Sequence, residues 1–342
     1  MRNVEADDEP IRVIHVGLGQ IGAAIARLTP TKQSLMSVAA VDPAPALAGK
    51  TLADACGDGA AAVPVSASVA EALAAAGGSS GPQVAFHAVA SHIPAIEAQL
   101  VELAESGLNV VSTAEELIHP HAGDGRARQA AERIDAAARA CGVTIFGAGV
   151  NPGVLMDRLP AYLSSLCLRV DAIRVRRLVN LGRRRPALRR KMGVGAAVDE
   201  VSKRIAEASI GHVGLVESLQ HLGACLGWRL GTVEERLAPV VAEQRVDKAG
   251  EVVEAGAVVG LDHTAEASTA DGRSLALSLT MRLDTDEPFD EIEIDGEPPV
   301  HLRFPRGVAG DEATAATVLN AARFACEAPP GLITRLATPC GS

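Results

Sequence analysis

Gly17, Gly19 and Gly22 follow the apolar run Val13–Val16 and open into the helical stretch Ala23–Leu28. The chemistry of that spacing is anion binding. Gly17 lets the chain turn tightly, Gly19 lets the backbone approach a pyrophosphate, and Gly22 lets helix and strand pack closely. The helix N-terminus adds unpaired N–H groups and the positive end of its dipole. A second apolar run, Met36–Val41, ends in Asp42, 20 residues after Gly22. A carboxylate there can bind a ribose 2′-hydroxyl and repels a 2′-phosphate. Pro43 follows it rather than a phosphate-clamping arginine. The cofactor expected is therefore NAD(H), with NADP(H) as the alternative.

Two further segments carry reactive or close-approach residues. Thr113-Ala114-Glu115-Glu116 ends the strand segment Asn109–Ser112. Its two carboxylates either complement the dipole of a helix first turn, or one of them faces a bound ring as a general acid/base whose pKa an apolar pocket raises. Gly147–Gly153 ends in Asn151-Pro152-Gly153, which is either a plain linker turn or a hinge whose backbone meets a flat ring. Six cations lie between Arg183 and Lys191. Most of them read as solvated or subunit-facing surface, with one or two able to reach a cofactor or carboxylate. Histidines such as His87, His212 and His221 are dispersed without ligand spacing, so no metal is expected. The six cysteines lack CxxC spacing and read as free thiols.

The elements that must position these residues alternate strand and helix over the first 150 residues, the pattern of a doubly wound parallel sheet. Expected strands are Val13–Val16, Met36–Val41, Ala60–Val65, Val84–Val89, Asn109–Ser112 and Val143–Gly147. Helices are expected at Val69–Ala76, His92–Ser106 and Arg126–Cys141. Beyond Gly153 the pattern becomes β segments at Val170–Asn180, Val258–Ser268, Leu275–Leu283, Glu291–Ile294 and His301–Phe304, with turns at Asp271-Gly272 and Asp295-Gly296. Helices at Val198–Ala208 and His212–Leu226 precede the later strands, and Asp311–Glu327 is helical again. The expected fold class is α/β: a Rossmann domain over 1–150, an α+β domain with a mostly antiparallel sheet over 151–308, and a C-terminal helix and tail over 309–342 packing back on the first. At 342 residues the chain is long enough for two cores. Its net charge of −10 argues against wholesale nucleic-acid binding. No apolar run reaches membrane-spanning length and the first residues are acidic, so a cytoplasmic location is expected.

Five motifs in order resemble the 2,4-diaminopentanoate dehydrogenase family, which includes the native amine dehydrogenases. They are Ser112-Thr-Ala-Glu115-Glu116-Leu117, Gly149-Val-Asn151-Pro152-Gly153-x-x-Met156-Asp157-x-Leu159-Pro160, Arg185-x-x-Leu188-x-x-Lys191-x-Gly193-x-Gly195, Gly310-Asp311-x-Ala313-Thr314-Ala315, and Ala328-Pro-Pro330-Gly331-Leu332-Ile333-Thr334. The His-His-x-x-Lys signature of dihydrodipicolinate reductase is absent, and homoserine dehydrogenases place a lysine where this chain has Glu115. The resemblance implies an NAD(P)-dependent amine–carbonyl oxidoreductase, a homodimer that takes a small amine or ketone with ammonia. It implies Glu115 as the proton shuttle, with Glu116 in reserve. The cofactor set expected is Gly17, Gly19, Gln20, Ile21, Gly22, Asp42, Ala90, Ser91, Asn151 and Pro152. Glu116, Met156, Arg185, Lys191 and Thr314 are expected toward substrate, Arg185 and Lys191 being the candidates to clamp a diamino acid's carboxylate. Arg189 departs from the family, where a glutamine is expected. Two other readings stay open: a reductase of alcohol or C=C substrates, and a non-catalytic dinucleotide sensor.

Overall fold

Near-continuous apolar runs become strands buried on both faces when helices cover both sides of a parallel sheet. The computed structural model describes residues 9–77, 81–121, 125–184 and 186–334. It forms two compact units: one from the segment up to Gly153 together with the segment from Gly310 onward, the other Val154–Ala309. The first unit begins β1 (Ile11–Val16), α1 (Gln20–Leu28), β2 (Leu35–Val41), α2 (Leu52–Cys56), β3 (Val65–Ser66), α3 (Val69–Ala76), β4 (Val84–His87), α4 (Ile93–Glu105), β5 (Asn109–Ser112), α5 (Gly125–Cys141) and β6 (Thr144–Gly147). Local chemistry sets several starts. Ser68 caps α3 by accepting the Glu71 N–H, and Thr51 with Asp54 forms a capping box on α2.

The second unit contains α6 (Arg158–Ser164), β7 (Arg169–Asn180), α7 (Pro186–Lys191), α8 (Val198–Ala206), α9 (Leu215–Cys225), β8 (Glu234–Val241), β9 (Val246–Lys248), β10 (Glu251–Val253), β11 (Val258–Ser268), β12 (Ser274–Arg282), β13 (Phe289–Glu297) and β14 (Val300–Phe304). Its main sheet has the order β14-β13-β7-β12-β11-β8. All its pairings are antiparallel except β7 with β12. β12 alternates strictly, with Leu275, Leu277, Leu279 and Met281 inward. Where β7 pairs with β13, Arg177 and Asp290 form a buried ion pair, 5% and 2% exposed, with Nε to Oδ1 at 2.6 Å. Val308 adds two bonds to the pair: its N–H donates to Asp290 Oδ2 and its carbonyl accepts from Arg177.

The chain then returns to the first unit as α10 (Gly310–Glu327) and β15 (Gly331–Ile333). Ala315, Val318, Leu319, Ala322 and Ala325 of α10 join Val13, Ile25, Phe86 and Phe146 in one core. β15 completes a sheet of order β15-β6-β5-β4-β1-β2-β3, every pair parallel. This is the doubly wound order, whose switch point lies between β1 and β4. Among the described residues no helix is long and apolar enough to cross a membrane.

Several expected elements differ. The strand Ala60–Val65 shrinks to Val65–Ser66, which alone pairs with Ala40–Val41. Asp295-Gly296 is not a turn: β13 runs on to Glu297 through a shift in register at Gly296, where a β-carbon would lie 2.4 Å from the Arg169 carbonyl. The helix expected from His212 starts at Leu215, because Gly214 at φ 102° breaks the run. β8 went unread because an edge strand with Glu234, Glu235 and Pro239 lacks an apolar alternation. α6 and the three-residue strands β9, β10 and β15 also lie outside the elements expected from the sequence.

Removing one member of a buried, hydrogen-bonded ion pair strands the other charge. Asp290→Ala should therefore cost about 3–5 kcal/mol in urea unfolding. Replacing both Arg177 and Asp290 by apolar residues of similar volume should recover most of that loss.

Candidate functional site

The turn between β1 and α1 is built by backbone contacts that only glycine allows. Gly17 has φ +84°, and a β-carbon on it would meet the Ala88 carbonyl oxygen at 2.6 Å. A β-carbon on Gly22 would lie 1.9 Å from the Gly17 carbonyl oxygen. Gly19 is different, since nothing stands within 4 Å of where its β-carbon would be. Gly19 caps α1 without a side chain over the first turn. Gln20, Ile21 and Gly22 thus begin a helix whose N-terminal face is open at Gly19. The turn is moored to β2: the Gly17 N–H donates to the Val41 carbonyl at 2.9 Å, and the Leu18 N–H to Asp42 Oδ2 at 2.8 Å. Asp42 Oδ1 accepts the Ala44 N–H at 2.9 Å. A bare backbone cradle at a helix N-terminus with a carboxylate at the end of the next strand fits a dinucleotide.

Glu115 stands at the C-terminal end of β5, the next-but-one strand from β1, on the sheet edge where open α/β sheets place ligands. Glu115–Ile118 is one 3-10 turn, with Glu115 and Glu116 half-buried and Leu117 and Ile118 buried. Below it, the Ala114 N–H donates to Ser112 Oγ at 3.2 Å, and Ser112 lies 2.9 Å from His87 Nδ1. His87 Nε2 lies 3.0 Å from Gln99 Oε1. Gln99 Oε1 can only accept, so Nε2 carries the proton and Nδ1 accepts the Ser112 hydroxyl. Burial, opposed by the Gln99 bond, pushes His87 down to about 4, so the imidazole stays neutral. Glu116 is tied elsewhere: Oε2 accepts the Ile93 N–H at 2.7 Å and Oε1 faces His92 Nδ1 at 2.6 Å. Its own N–H donates to the Ser91 carbonyl at 3.3 Å. Ser91, expected beside the cofactor, thus braces the acidic turn through its backbone, with Ala90 just before it after β4.

The third wall is Gly149–Gly153. A β-carbon on Gly149 would meet the Pro152 carbonyl at 2.6 Å, and one on Gly153 (φ +130°) the Gly149 carbonyl at 2.3 Å. The Asn151–Pro152 bond is cis. The Ala148 N–H bonds to the Ser112 carbonyl at 2.8 Å, joining this loop to the acidic turn. Thr314 Oγ1 accepts the Val150 N–H at 3.3 Å, so its hydroxyl braces the loop. Gln20 Nε2 donates to Asp311 Oδ2 at 2.7 Å, linking the start of α1 to the start of α10. Sequence reasoning assigns no bonding role to Asp311, Gln99, His92 or Ser112. The signals available were an acid in a helix first turn and a serine two residues before an amide.

The other expected residues fall in the second unit or outside the description. Met156 is fully buried near the start of that unit, and Lys191 is exposed at the end of α7. Arg185 lies outside the described residues. Arg189 is buried and pairs with Glu251 at 3.3 Å, so it is bound within its own unit. Asp157, also fully buried, caps α6 by accepting the Arg158 N–H at 2.6 Å and takes the Ser218 hydroxyl at 2.7 Å. Glu291, Glu293 and His301 bring ligand-type atoms within 4.8 Å of one another. Arg176 and Arg303 already sit on the Glu291 carboxylate, so the group is a charge-matched network.

Residues 154–341 match the 2,4-diaminopentanoate dehydrogenase C-terminal domain. The 2,4-diaminopentanoate dehydrogenase of Acetoanaerobium sticklandii is 28% identical over 243 residues, covering 69% of this chain and 68% of that protein. Among solved structures, the amine dehydrogenase from Mycobacterium smegmatis shares the fold with a TM-score of 0.80 at 24% identity, over 96% of this chain and 95% of that one. GenD2 from gentamicin A biosynthesis, solved in complex with NAD, shares it more distantly (TM-score 0.53, 17% identity, 87% of this chain and 74% of that one). With more than half of its length in the family's C-terminal domain, the chain belongs to the 2,4-diaminopentanoate dehydrogenase family.

Proposed function

We propose that the protein is an NAD(P)-dependent amine dehydrogenase that interconverts a small amine with a ketone or aldehyde plus ammonia. The observation that carries this reading is the placement of Glu115 at the end of β5, on the sheet edge that also carries the glycine turn, in a chain of this family. A bound nicotinamide cofactor supplies the hydride acceptor or donor. Glu115 takes a proton from the substrate ammonium and passes it to solvent, leaving the neutral amine whose C–H leaves as hydride. It then takes a proton from the water that adds to the resulting iminium carbon. It returns that proton to the nitrogen, and as ammonia departs the hydroxyl proton of the carbinolamine passes to Glu115, leaving the carbonyl; reductive amination is the reverse. Glu116 is unsuited to this work, because a proton on either oxygen breaks a bond to Ile93 or His92. A cytoplasmic homodimer is part of the same proposal.

The cradle would be Gly17, Gly19, Gln20, Ile21 and Gly22, with Asn151 and Pro152 against the ring. Each Asp42 oxygen keeps lone-pair capacity beyond its one N–H bond and can take the ribose hydroxyls. NAD(H) is therefore the favoured form, and Asp42→Ala should raise the NADPH:NADH ratio of initial rates.

Glu115→Gln should lower kcat by about 10²–10⁴-fold while leaving cofactor affinity nearly unchanged. A fully active variant contradicts the assignment. Gly19→Ala has room for its methyl group, so its thermal midpoint should hold while NADH affinity, read by fluorescence titration, falls. Gly22→Ala must push the turn apart and should lose thermal stability as well.

A further inference from the structure

We propose that Glu116 is a positioning residue for Glu115, acting with His92 as a tether that fixes the acid–base group over the sheet edge. The proposal rests on the reading of Glu115 as the proton shuttle. α4 has no capping side chain of its own: its N-cap is His92, which makes no cap bond. The first N–H groups of a helix need acceptors, and Glu116 supplies one from 23 residues away by accepting the Ile93 N–H. A carboxylate at that end also meets the positive pole of the helix. The second oxygen takes the His92 Nδ1–H, which holds the carboxylate in one orientation.

The consequence falls on the neighbouring residue. Glu115 and Glu116 share one short 3-10 turn, so fixing the side chain and N–H of Glu116 against Ser91, His92 and Ile93 fixes the backbone that carries Glu115. From the other side the turn rests on Ser112, held in place by the neutral His87 and by Gln99. The turn is thus held at two places, by α4's N-terminus and by the buried β4–β5 network. A displacement of about 1 Å in a catalytic group can cost about 10²-fold in rate. Bonds that only hold the turn are therefore large enough to matter for turnover.

The test is a double-mutant cycle in the full chain. Glu116→Gln keeps the volume but presents one donor and one acceptor to two N–H donors, so one tether is lost. His92→Ala removes the Oε1 tether at a side chain that is 59% exposed, leaving no cavity. We expect kcat to fall about 10–100-fold in Glu116→Gln and less in His92→Ala. KM for cofactor should be little changed, and the kcat limb belonging to Glu115 should move along the pH axis. In the Glu115→Gln background neither substitution should lower the residual rate further, because a residue acting only through Glu115 has nothing left to position. Normal kcat in both single variants, with Glu115→Gln inactive, overturns the proposal and leaves the shuttle reading intact. A further independent loss in the double variant also overturns it. If Glu115→Gln is active while Glu116→Gln is dead, the shuttle reading fails and this proposal with it.

Discussion

The contact between Gly22 and the Gly17 carbonyl, too close for any β-carbon, is the constraint from which the first unit is organised. It lets α1 leave β1 with its N-terminus over the sheet edge and keeps the turn flat enough for Asp42 to reach the Leu18 N–H. Once β1 and α1 are joined this way, the parallel order outward from β1 places the ends of β4, β5 and β6 along one edge. The proposed chemistry of this unit hangs from those ends and from the ends of β1 and β2: the glycine turn after β1, Asp42 after β2, Ser91 after β4, Glu115 after β5, Asn151 after β6. Thr314 and Asp311 at the start of α10 then brace the segment after β6 at Val150 and the start of α1 at Gln20.

Two adjacent carboxylates on one turn look redundant, and the hydrogen bonds divide their work. Glu116 spends both oxygens on N–H donors of the α4 terminus, which is a structural use of charge. In the proposed reaction that leaves Glu115 for proton transfer, an economical arrangement because the same turn carries both. The nearby His87, kept neutral by burial, contributes a relay of hydrogen bonds that orders the backbone without bringing a second charge to the site.

The first unit was legible because its signals are local. Glycine spacing, the acid after β2 and the strand–helix alternation each depend on neighbours in sequence. Asn109–Ser112 and Val69–Ala76 were read at their observed bounds. The tether of Glu116 was not legible, since it joins residues 23 apart through a backbone N–H that any residue but proline would supply. The bond from the Val150 N–H to the Thr314 hydroxyl was likewise not legible, since it joins residues 164 apart. In the second unit, strictly alternating strands such as β12 were plain. β8 was missed because an edge strand need bury only part of one face. β15 is a strand only because β6 lies beside it.

In the proposed reaction, hydride and the nitrogen of ammonia arrive on the same carbon. That convergence can be read by incubating the enzyme with a ketone that it reduces, nicotinamide cofactor deuterated at the transferring position, and ¹⁵N-ammonium, followed by mass spectrometry of the product. The expected product is an amine carrying one deuterium and ¹⁵N, with none formed when ammonium is omitted. Deuterium in an alcohol or a saturated ketone, formed equally well without ammonium, would contradict it.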